Sequence, residues 1–587
     1  MCGIFGYIGP RVDAPELVME GLKLLEYRGY DSWGIAAKIG NVIQVDKHIG
    51  KIGNANVDLP PSSLSIGHTR WATHGGVTDL NAHPHLDCTQ HIAVIHNGII
   101  ENYLEIKEEL LNKGHTFKSE TDTEVIPHLI EEYLKQDIGF AHAFRRAFKR
   151  LHGLNAIVSA YSTSKEILAA KTGSPLIVGV GESELFLASD ASAIIPHTRK
   201  LVFIKDGEMV ILGEEMQLIT IGSGDQIEPK IEEVDWKIES ADMGNYPHFM
   251  IKEMHDQANI IRNIASTYED QIVDMSSLIK EAFGTYFIGS GTAFNATLAG
   301  TYMFSKIAKK HVNTAQASEF NYLEDFLTDR SLIIALSQSG ETIDVIEPLN
   351  RAKQKGSKIA TLVNTLGSTI YRMADKKILL GAGPEKAVAS TKAYVAKLSI
   401  LLMLANALVD NLEVAKKELT AAATEVDRLL ESKSISQLDT VADQLMDVAH
   451  IYTVGRGISF ATALESALKI KEITYIHAEG LAGGELKHGP IALITKGTSC
   501  IVFAPSDETY SAMISNAMEI KARGGVIIGV SSKYEAVFDH WIEVKDCGNA
   551  TLIPQVVPMQ YLAYSLAVRK NLDPDKPRNL AKSVTVK

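Results

Sequence analysis

Cysteine is scarce in this chain, with four among 587 residues and no Cys-x-x-Cys pair. Cys2, Cys88, Cys500 and Cys547 lie far apart, which excludes a disulfide framework, disfavours structural zinc and points to a reducing cytoplasm. Positive charge is also in deficit: 58 Lys and Arg against 71 Asp and Glu leave a net charge of -13. That balance argues against a nucleic-acid partner, which needs a basic face, but allows small anions held by local positive potential. No apolar run is long enough to span a bilayer, and the longest, Leu398 to Val409, reads as a core helix. No basic segment leads into an apolar core at the start, so neither a signal peptide nor a membrane partner is expected.

What is present describes a packed globular protein of about three or four domains, 45% hydrophobic and 22% charged. Cysteine is the second residue, in Met1-Cys2-Gly3-Ile4. Were Met1 removed, Cys2 would carry a thiol and a free α-amine, titrating near ~8.5 and ~8. One residue would then supply a nucleophile and its own base.

Around it the first 240 residues alternate short strands (Val42–Val45, Ile92–Ile95, Leu201–Ile204) with helical stretches such as Leu104 to Leu111 and Glu124 to Leu134. Gly67 to Gly75 is dense in functional side chains, and its Arg70 suits a substrate carboxylate. Asn97-Gly98 ends an apolar strand, fit for either an oxyanion hole or a tight turn. Asp122 could hold an ammonium or cap the next helix. His68, His74, His83, His85, His91 and His96 crowd this region without a recognisable ligand spacing, so no metal is expected there.

An acidic stretch, Gln226 to Glu239, reads as a linker. Beyond it short buried strands alternate with long helices, and the pattern repeats. Tyr286–Gly291 matches Tyr452–Gly457, Ile333–Thr342 matches Cys500–Thr509, and Ile359–Val363 matches Val526–Val530, at offsets of 166, 167 and 167. A duplicated parallel-sheet domain accounts for this. In the first copy Ser337, Ser339 and Thr342 lead into a helix, as a phosphate site or an ordinary N-capped turn requires. The second copy reads Pro505-Ser506-Asp507, with an added anion, so only the first copy is expected to bind phosphate.

Glu465, Lys469 and Glu472 fall at i, i+4 and i+7 of one helix face, an ion-pair stripe if exposed. They run towards Glu479 and Gly483–Pro490, where His488 could join them in proton transfer beside a carbonyl. The tail Pro577–Lys587 reads either as a frayed end or as the carrier of a Schiff-base lysine.

On these motifs, together with Tyr27–Ser32, His96–Asn102, Thr121–Glu124, Val388–Lys392, Ile476–Glu479 and Pro577–Val586, the chain resembles the glutamine–fructose-6-phosphate aminotransferases (isomerizing) over nearly its whole length. The first-half motifs are shared by class II glutamine amidotransferases, and those of the second half by sugar-isomerase (SIS) domains. The resemblance implies an α/β multidomain fold. An αββα N-terminal-nucleophile hydrolase domain (1–225) and a linker (226–245) precede two doubly wound αβα SIS domains (246–425 and 426–570) and a catalytic tail (571–587).

It further implies that Cys2 attacks glutamine, Asn97 and Gly98 stabilise the oxyanion, and Arg70, Thr73, His74 and Asp122 hold the amino-acid end. Trp71 would gate an ammonia channel. Thr292, Ser337, Gln338, Ser339, Thr342 and Val388 would bind the sugar phosphate, with His488 of a second subunit assisting ring opening. Lys582 would form the imine, and Glu472, with Lys469 nearby, would move the proton. A cytoplasmic homodimer with a shared active site, and neither metal nor organic cofactor, is expected. The chain reads Gly291-Thr292-Ala293 where the family usually has Gly-Thr-Ser, one phosphate hydroxyl fewer. Rival readings are amination of another ketose phosphate, a sugar-phosphate sensor, and a metal-dependent hydrolase built on the histidines.

Overall fold

A computed structural model describes residues 2–235 and 243–584. Met1, with its expected removal, residues 236–242 of the expected linker and residues 585–587 of the tail lie outside the described residues. The described chain forms two compact units, one of 2–235 with 581–584, the other of 243–580.

In the first unit the strand Gly3–Ile8 lies antiparallel between Leu185–Ala188 and Leu64–Arg70, inside an eight-stranded sheet. A seven-stranded antiparallel sheet contains Asn155–Tyr161 between Ile92–Asn97 and Ile167–Thr172. Alternation along the strands sets the layers. Ile4, Ile66 and Val178 meet Ile95, Val158 and Ala169 between the sheets, while Phe5, Tyr7 and Ile35 turn outward onto the helix Ala14–Leu25.

The opposite face of the second sheet is covered by Tyr103–Asn112, Val125–Leu134 and Phe140–Arg150. The last of these buries Phe140, Ala143, Phe144, Ala147 and Phe148, the i, i+3, i+4, i+7, i+8 stripe of an amphipathic helix, and ends in Lys149 and Arg150, which suit the negative end of its dipole. The layers are αββα. The segment read as a linker is partly sheet, because Gln226–Ile227 pairs with Leu218–Ile219 and Glu232–Glu233 with Lys200–Leu201. Two-residue strands leave no apolar alternation to read, which is why composition alone suggested a linker.

The second unit holds two five-stranded parallel sheets with one topology: the second strand in sequence at an edge, then the first, third, fourth and fifth. Tyr286 pairs with Ile333 in one and Tyr452 with Cys500 in the other, which places the first two repeat matches in one register. The third match slips by one. Leu332 faces Lys358 while Ser499 faces Val526, so Lys358, not Ile359, corresponds to Val526, and the offset is 168.

Both copies turn from first strand to helix on a glycine at positive φ, Gly291 (54°) and Gly457 (55°), a region closed to most side chains. The helix Lys392–Ala407 is buried along its whole length, as the apolar run predicts. Among the described residues no helix is long and apolar enough to cross a membrane.

Candidate active sites

The first site is built where strands of the two sheets end side by side. Cys2 precedes the strand Gly3–Ile8, Trp71 follows Leu64–Arg70, and Gly98 follows Ile92–Asn97. The Trp71 N–H lies 3.3 Å from the Cys2 thiol sulfur, whose S–H faces the Trp71 carbonyl at 3.7 Å. The Asn97 side-chain nitrogen donates to the Cys2 carbonyl at 2.9 Å. Its carbonyl oxygen accepts from His68 Nε2 at 3.0 Å, and the same nitrogen donates to the His96 carbonyl at 2.9 Å. Both His68 acceptors are carbonyls, so Nε2 carries the proton and the Asn97 amide has one orientation, donor end towards Cys2.

Gly98 sits at φ 145°, and a Cβ there would fall 2.5 Å from the Leu154 carbonyl oxygen. Only glycine fits this position.

Arg70 is buried and directs its terminal nitrogens at the carbonyls of His74, Gly75 and Gly76, bracing the loop that carries Thr73 and His74. Burial lowers its guanidinium pKa, against the pull of Cys2, Asp31 and Asp122. Asp31 accepts from Ala72 N–H at 2.8 Å and steadies the same loop. Thr73 is exposed, and Trp71 and His74 are half-buried. The buried Asp122 carboxylate accepts from Ile100 N–H at 2.7 Å, so it reaches back to the turn after Gly98.

The crowded histidines are mostly scaffold. His68 stacks on His83 at 4.1 Å, and His96 bonds Thr123 and Asn155. His85 meets Thr121, and His91 meets Ser162. Burial drives the His68 pKa down to about 3 and holds His83, His85 and His96 below the usual histidine value. Sequence reasoning missed the positioning part of His68 because its partner stands 29 residues away.

The second site lies on the helix Ile458–Thr474. Glu465 and Lys469 are completely buried, whereas the Glu472 side chain keeps a fifth of its surface. Lys469 Nζ lies 3.4 Å from Glu465 and 2.6 Å from Glu472, and donates to the Thr292 hydroxyl at 2.9 Å. Glu465 also accepts from Thr292 at 3.1 Å and Asn295 at 2.8 Å. Burial alone would lower the Lys469 pKa, but the two carboxylates outweigh it and keep the ammonium charged. Thr292, taken as a phosphate residue, thus spends its hydroxyl on this buried pair.

The loop of the first copy follows the strand Ser331–Ser337. Ser337 Oγ accepts from Gly340 N–H and Ser339 Oγ from Glu341 N–H. The Gln338 carbonyl accepts from Asn364 N–H. Thr342 starts the helix Ile343–Gln354 without capping it by its side chain. In the second copy Asp507 accepts from both the N–H and the hydroxyl of Thr509, so an anion stands where the first copy keeps hydroxyls. A cavity of about 610 Å³ opens beside Gly457–Ser459 and Pro505–Thr509, at this second loop.

Val388 N–H donates to the Asp575 carbonyl at 2.9 Å, and the Asp575 carboxylate caps Phe249 and Met250. Arg578 lies over the Tyr475 ring at 4.1 Å, and its N–H donates to the Tyr475 hydroxyl. His488 is exposed at the end of the turn Glu485–His488, without a hydrogen bond or ion pair among the described residues. Lys582 belongs to the residues that group with the first unit. The single chain therefore brings Glu472 and Lys469 together with Thr292, and Cys2 with Asn97 and Trp71.

Residues 68–196 match the model of the glutamine amidotransferase domain, and residues 278–407 and 444–538 that of the SIS domain. The chain is 44% identical to the glutamine–fructose-6-phosphate aminotransferase (isomerizing) of Thermococcus kodakarensis, covering all of both chains. The enzyme of that name from Thermus thermophilus is 41% identical, again over all of both. The chain belongs to the glutamine–fructose-6-phosphate aminotransferase (isomerizing) family. A solved C-terminal domain of glucosamine-fructose-6-phosphate aminotransferase from Francisella tularensis superposes with a TM-score of 0.52 at 30% identity, covering 58% of this chain and all of that one. Trp71, Asn97 and Gly98 lie within the amidotransferase match, and Lys469 and Glu472 within the second SIS match.

Proposed function

We propose that this enzyme transfers the amide nitrogen of L-glutamine to D-fructose 6-phosphate and isomerises the product, giving glucosamine 6-phosphate and glutamate. The Cys2–Asn97 pair carries the reading. Asn97 is locked with its donor end on the cysteine, which is what a tetrahedral oxyanion formed at that cysteine requires.

Cys2 attacks the glutamine amide carbon, and Asn97 with the Gly98 N–H takes the developing charge. Asp122 meets the substrate ammonium, while Thr73 and His74, on the loop braced by Arg70, hold its α-carboxylate end. Trp71, bonded to the Cys2 sulfur, gates the ammonia released.

In the isomerase half Ser337, Gln338, Ser339 and Thr342 hold the phosphate, Thr292 accepts from Lys469 and fixes it beside Glu472, and Val388 lines the sugar. Glu472, with a fifth of its side-chain surface open beside the charged Lys469, transfers the proton between C1 and C2. Arg578 docks the start of the tail on Tyr475, three residues beyond Glu472. Lys582, within the tail motif Pro577–Val586 on which the resemblance rests, is the imine-forming lysine of this proposal. The exposed His488 suits a homodimer in which each subunit lends this histidine to its neighbour's sugar, in the cytoplasm. The domain limits read from sequence remain part of this proposal, with the amidotransferase domain extended through its two short edge strands.

The test is glutamine hydrolysis and glucosamine 6-phosphate synthesis, with and without fructose 6-phosphate, in the parent and in Cys2→Ala. The parent should synthesise product and hydrolyse glutamine faster when the sugar is present. The variant should lose glutamine-dependent synthesis while retaining isomerisation. Glutamine-dependent synthesis by Cys2→Ala would overturn the assignment.

A further inference from the structure

Away from both sites, four side chains of the amidotransferase half point at one spot. Cys88 follows the short strand His85–Leu86, His115 follows the helix Tyr103–Asn112, and His128 and Glu131 lie at i and i+3 on the helix Val125–Leu134. The two imidazoles are buried, each with a side chain only 1% exposed.

Their inward atoms form a small polyhedron. Cys88 Sγ lies 3.6 Å from His115 Nδ1 and 3.4 Å from His128 Nδ1, and the two nitrogens are 3.4 Å apart. Glu131 Oε2 is 3.2 Å from the first nitrogen and 3.6 Å from the second. Zinc bound tetrahedrally at ~2.0–2.1 Å to nitrogen and oxygen and ~2.3 Å to sulfur requires edges of about 3.3 Å between light ligands and about 3.6 Å to sulfur. All five of these separations lie within a few tenths of an ångström of those values.

Hydrogen bonding within the group gives a poorer account. Two imidazole nitrogens facing each other at 3.4 Å, with a thiol and a carboxylate at the same point, compete for the same few protons, whereas one divalent cation meets four lone pairs at once. One outward atom matches too. His115 Nε2 faces Glu132 at 3.2 Å, the carboxylate–histidine pairing that orients metal-bound imidazoles, while His128 Nε2 lies 3.7 Å from Glu124, an ion-pair distance without a hydrogen bond. Lys135 binds the same Glu132 oxygen at 2.9 Å and lies 3.3 Å from His115 Nε2. Thr116 N–H points at the Cys88 sulfur at 3.5 Å and Cys88 N–H donates to Glu131 at 3.1 Å, contacts that suit a thiolate and an ionised carboxylate.

We propose that Cys88, His115, His128 and Glu131 hold one zinc ion in a closed, structural site. One thiolate, two imidazoles and a carboxylate favour zinc over the hard ions calcium and magnesium. With four protein ligands, no coordination position is left for water, so the ion serves architecture rather than catalysis. It ties the loop after His85–Leu86 and the segment before Phe117 to the helix Val125–Leu134, directly after the Thr121–Glu124 turn that carries Asp122.

The full-length protein, purified without chelator and dialysed, should contain about one zinc per chain by inductively coupled plasma mass spectrometry. Cys88→Ser and His128→Ala should each lose most of it, while Cys2→Ala keeps it. Cobalt exchanged into the parent should give the visible bands of a tetrahedral ion and a near-ultraviolet sulfur-to-cobalt band, the latter absent in Cys88→Ser. Should a variant misfold, the parent alone decides: chelation should lower the melting temperature, and added zinc should restore it. A parent that binds no zinc after incubation and dialysis, or a Cys88→Ser, His128→Ala double variant that binds it as fully as the parent, would overturn the proposal.

Discussion

His68 holds the Asn97 amide in place, its Nε2 donating to the Asn97 oxygen at 3.0 Å, and so turns the amide's donor end towards Cys2. Without that donor the amide could rotate and present its oxygen instead. His68→Leu should lower the glutaminase kcat, within the ~10²–10³-fold that one oxyanion donor contributes, while the KM for glutamine changes little. His68→Gln, which keeps a donor, should recover part of the rate. A loss confined to KM would count against the positioning role.

Gly98→Ala should abolish glutaminase activity more completely than His68→Leu does. At φ 145°, with the Leu154 carbonyl 2.5 Å from the new Cβ, the strand end must move, and the Gly98 N–H with it. Steady-state glutamine hydrolysis measures this. The ammonia-dependent reaction of the isomerase half should persist, and its loss would point to misfolding instead.

Stability of the amidotransferase half should fall as pH drops below about 6.5. His68, at about 3, and His83 and His85 bind protons in the folded chain only well below the value they have when unfolded, and His96 below it. Between those values the unfolded chain holds more protons, so acid favours it, by up to ~1.4 kcal/mol per pH unit for each such histidine. Thermal melts at pH 7.5, 6.5 and 5.5 should show little change over the first step and a marked decline over the second. Equal stability at pH 7.5 and 5.5 would refute this account.

Lys469→Met should destabilise the isomerase half, by about 3–5 kcal/mol, because it leaves Glu465 buried without its cation. Glu472→Gln should leave stability nearly unaltered but slow isomerisation by ~10²–10⁴-fold, the usual contribution of a positioned proton carrier. Urea unfolding and the rate of product formation separate the two effects. Comparable rates in Glu472→Gln and the parent would remove Glu472 from the chemistry.

The two copies should respond differently at their matching loops. Ser339→Ala in the first should raise the KM for fructose 6-phosphate severalfold. Asp507→Ala in the second, which only removes a cap on Thr509, should cost ~1 kcal/mol of stability and leave that KM unchanged. Equal shifts in KM would mean that both loops contact the sugar.

Much of this protein follows from patterns a few residues long. Alternation along the strands, the stripe of Phe140–Phe148, and the glycines at 98, 291 and 457 are set by local geometry, which a linear chain displays openly. The repeat belongs here as well, though its third strand was displaced by one residue, because neighbouring apolar residues in a buried strand are interchangeable to pattern matching.

What folding decided is which distant side chains share one point. His68 reaches Asn97 across 29 positions, Thr292 reaches Glu465 across 173, and Cys88 faces His128 across 40. The four side chains proposed as zinc ligands come from three separate segments, so they lack the short spacing by which ligand motifs are recognised in a sequence. Hydrogen bonds and coordination depend on distances of about 3 Å in space, and burial enforces them by withdrawing water as the alternative partner. Linear spacing carries no trace of that choice until the sheets and helices have packed.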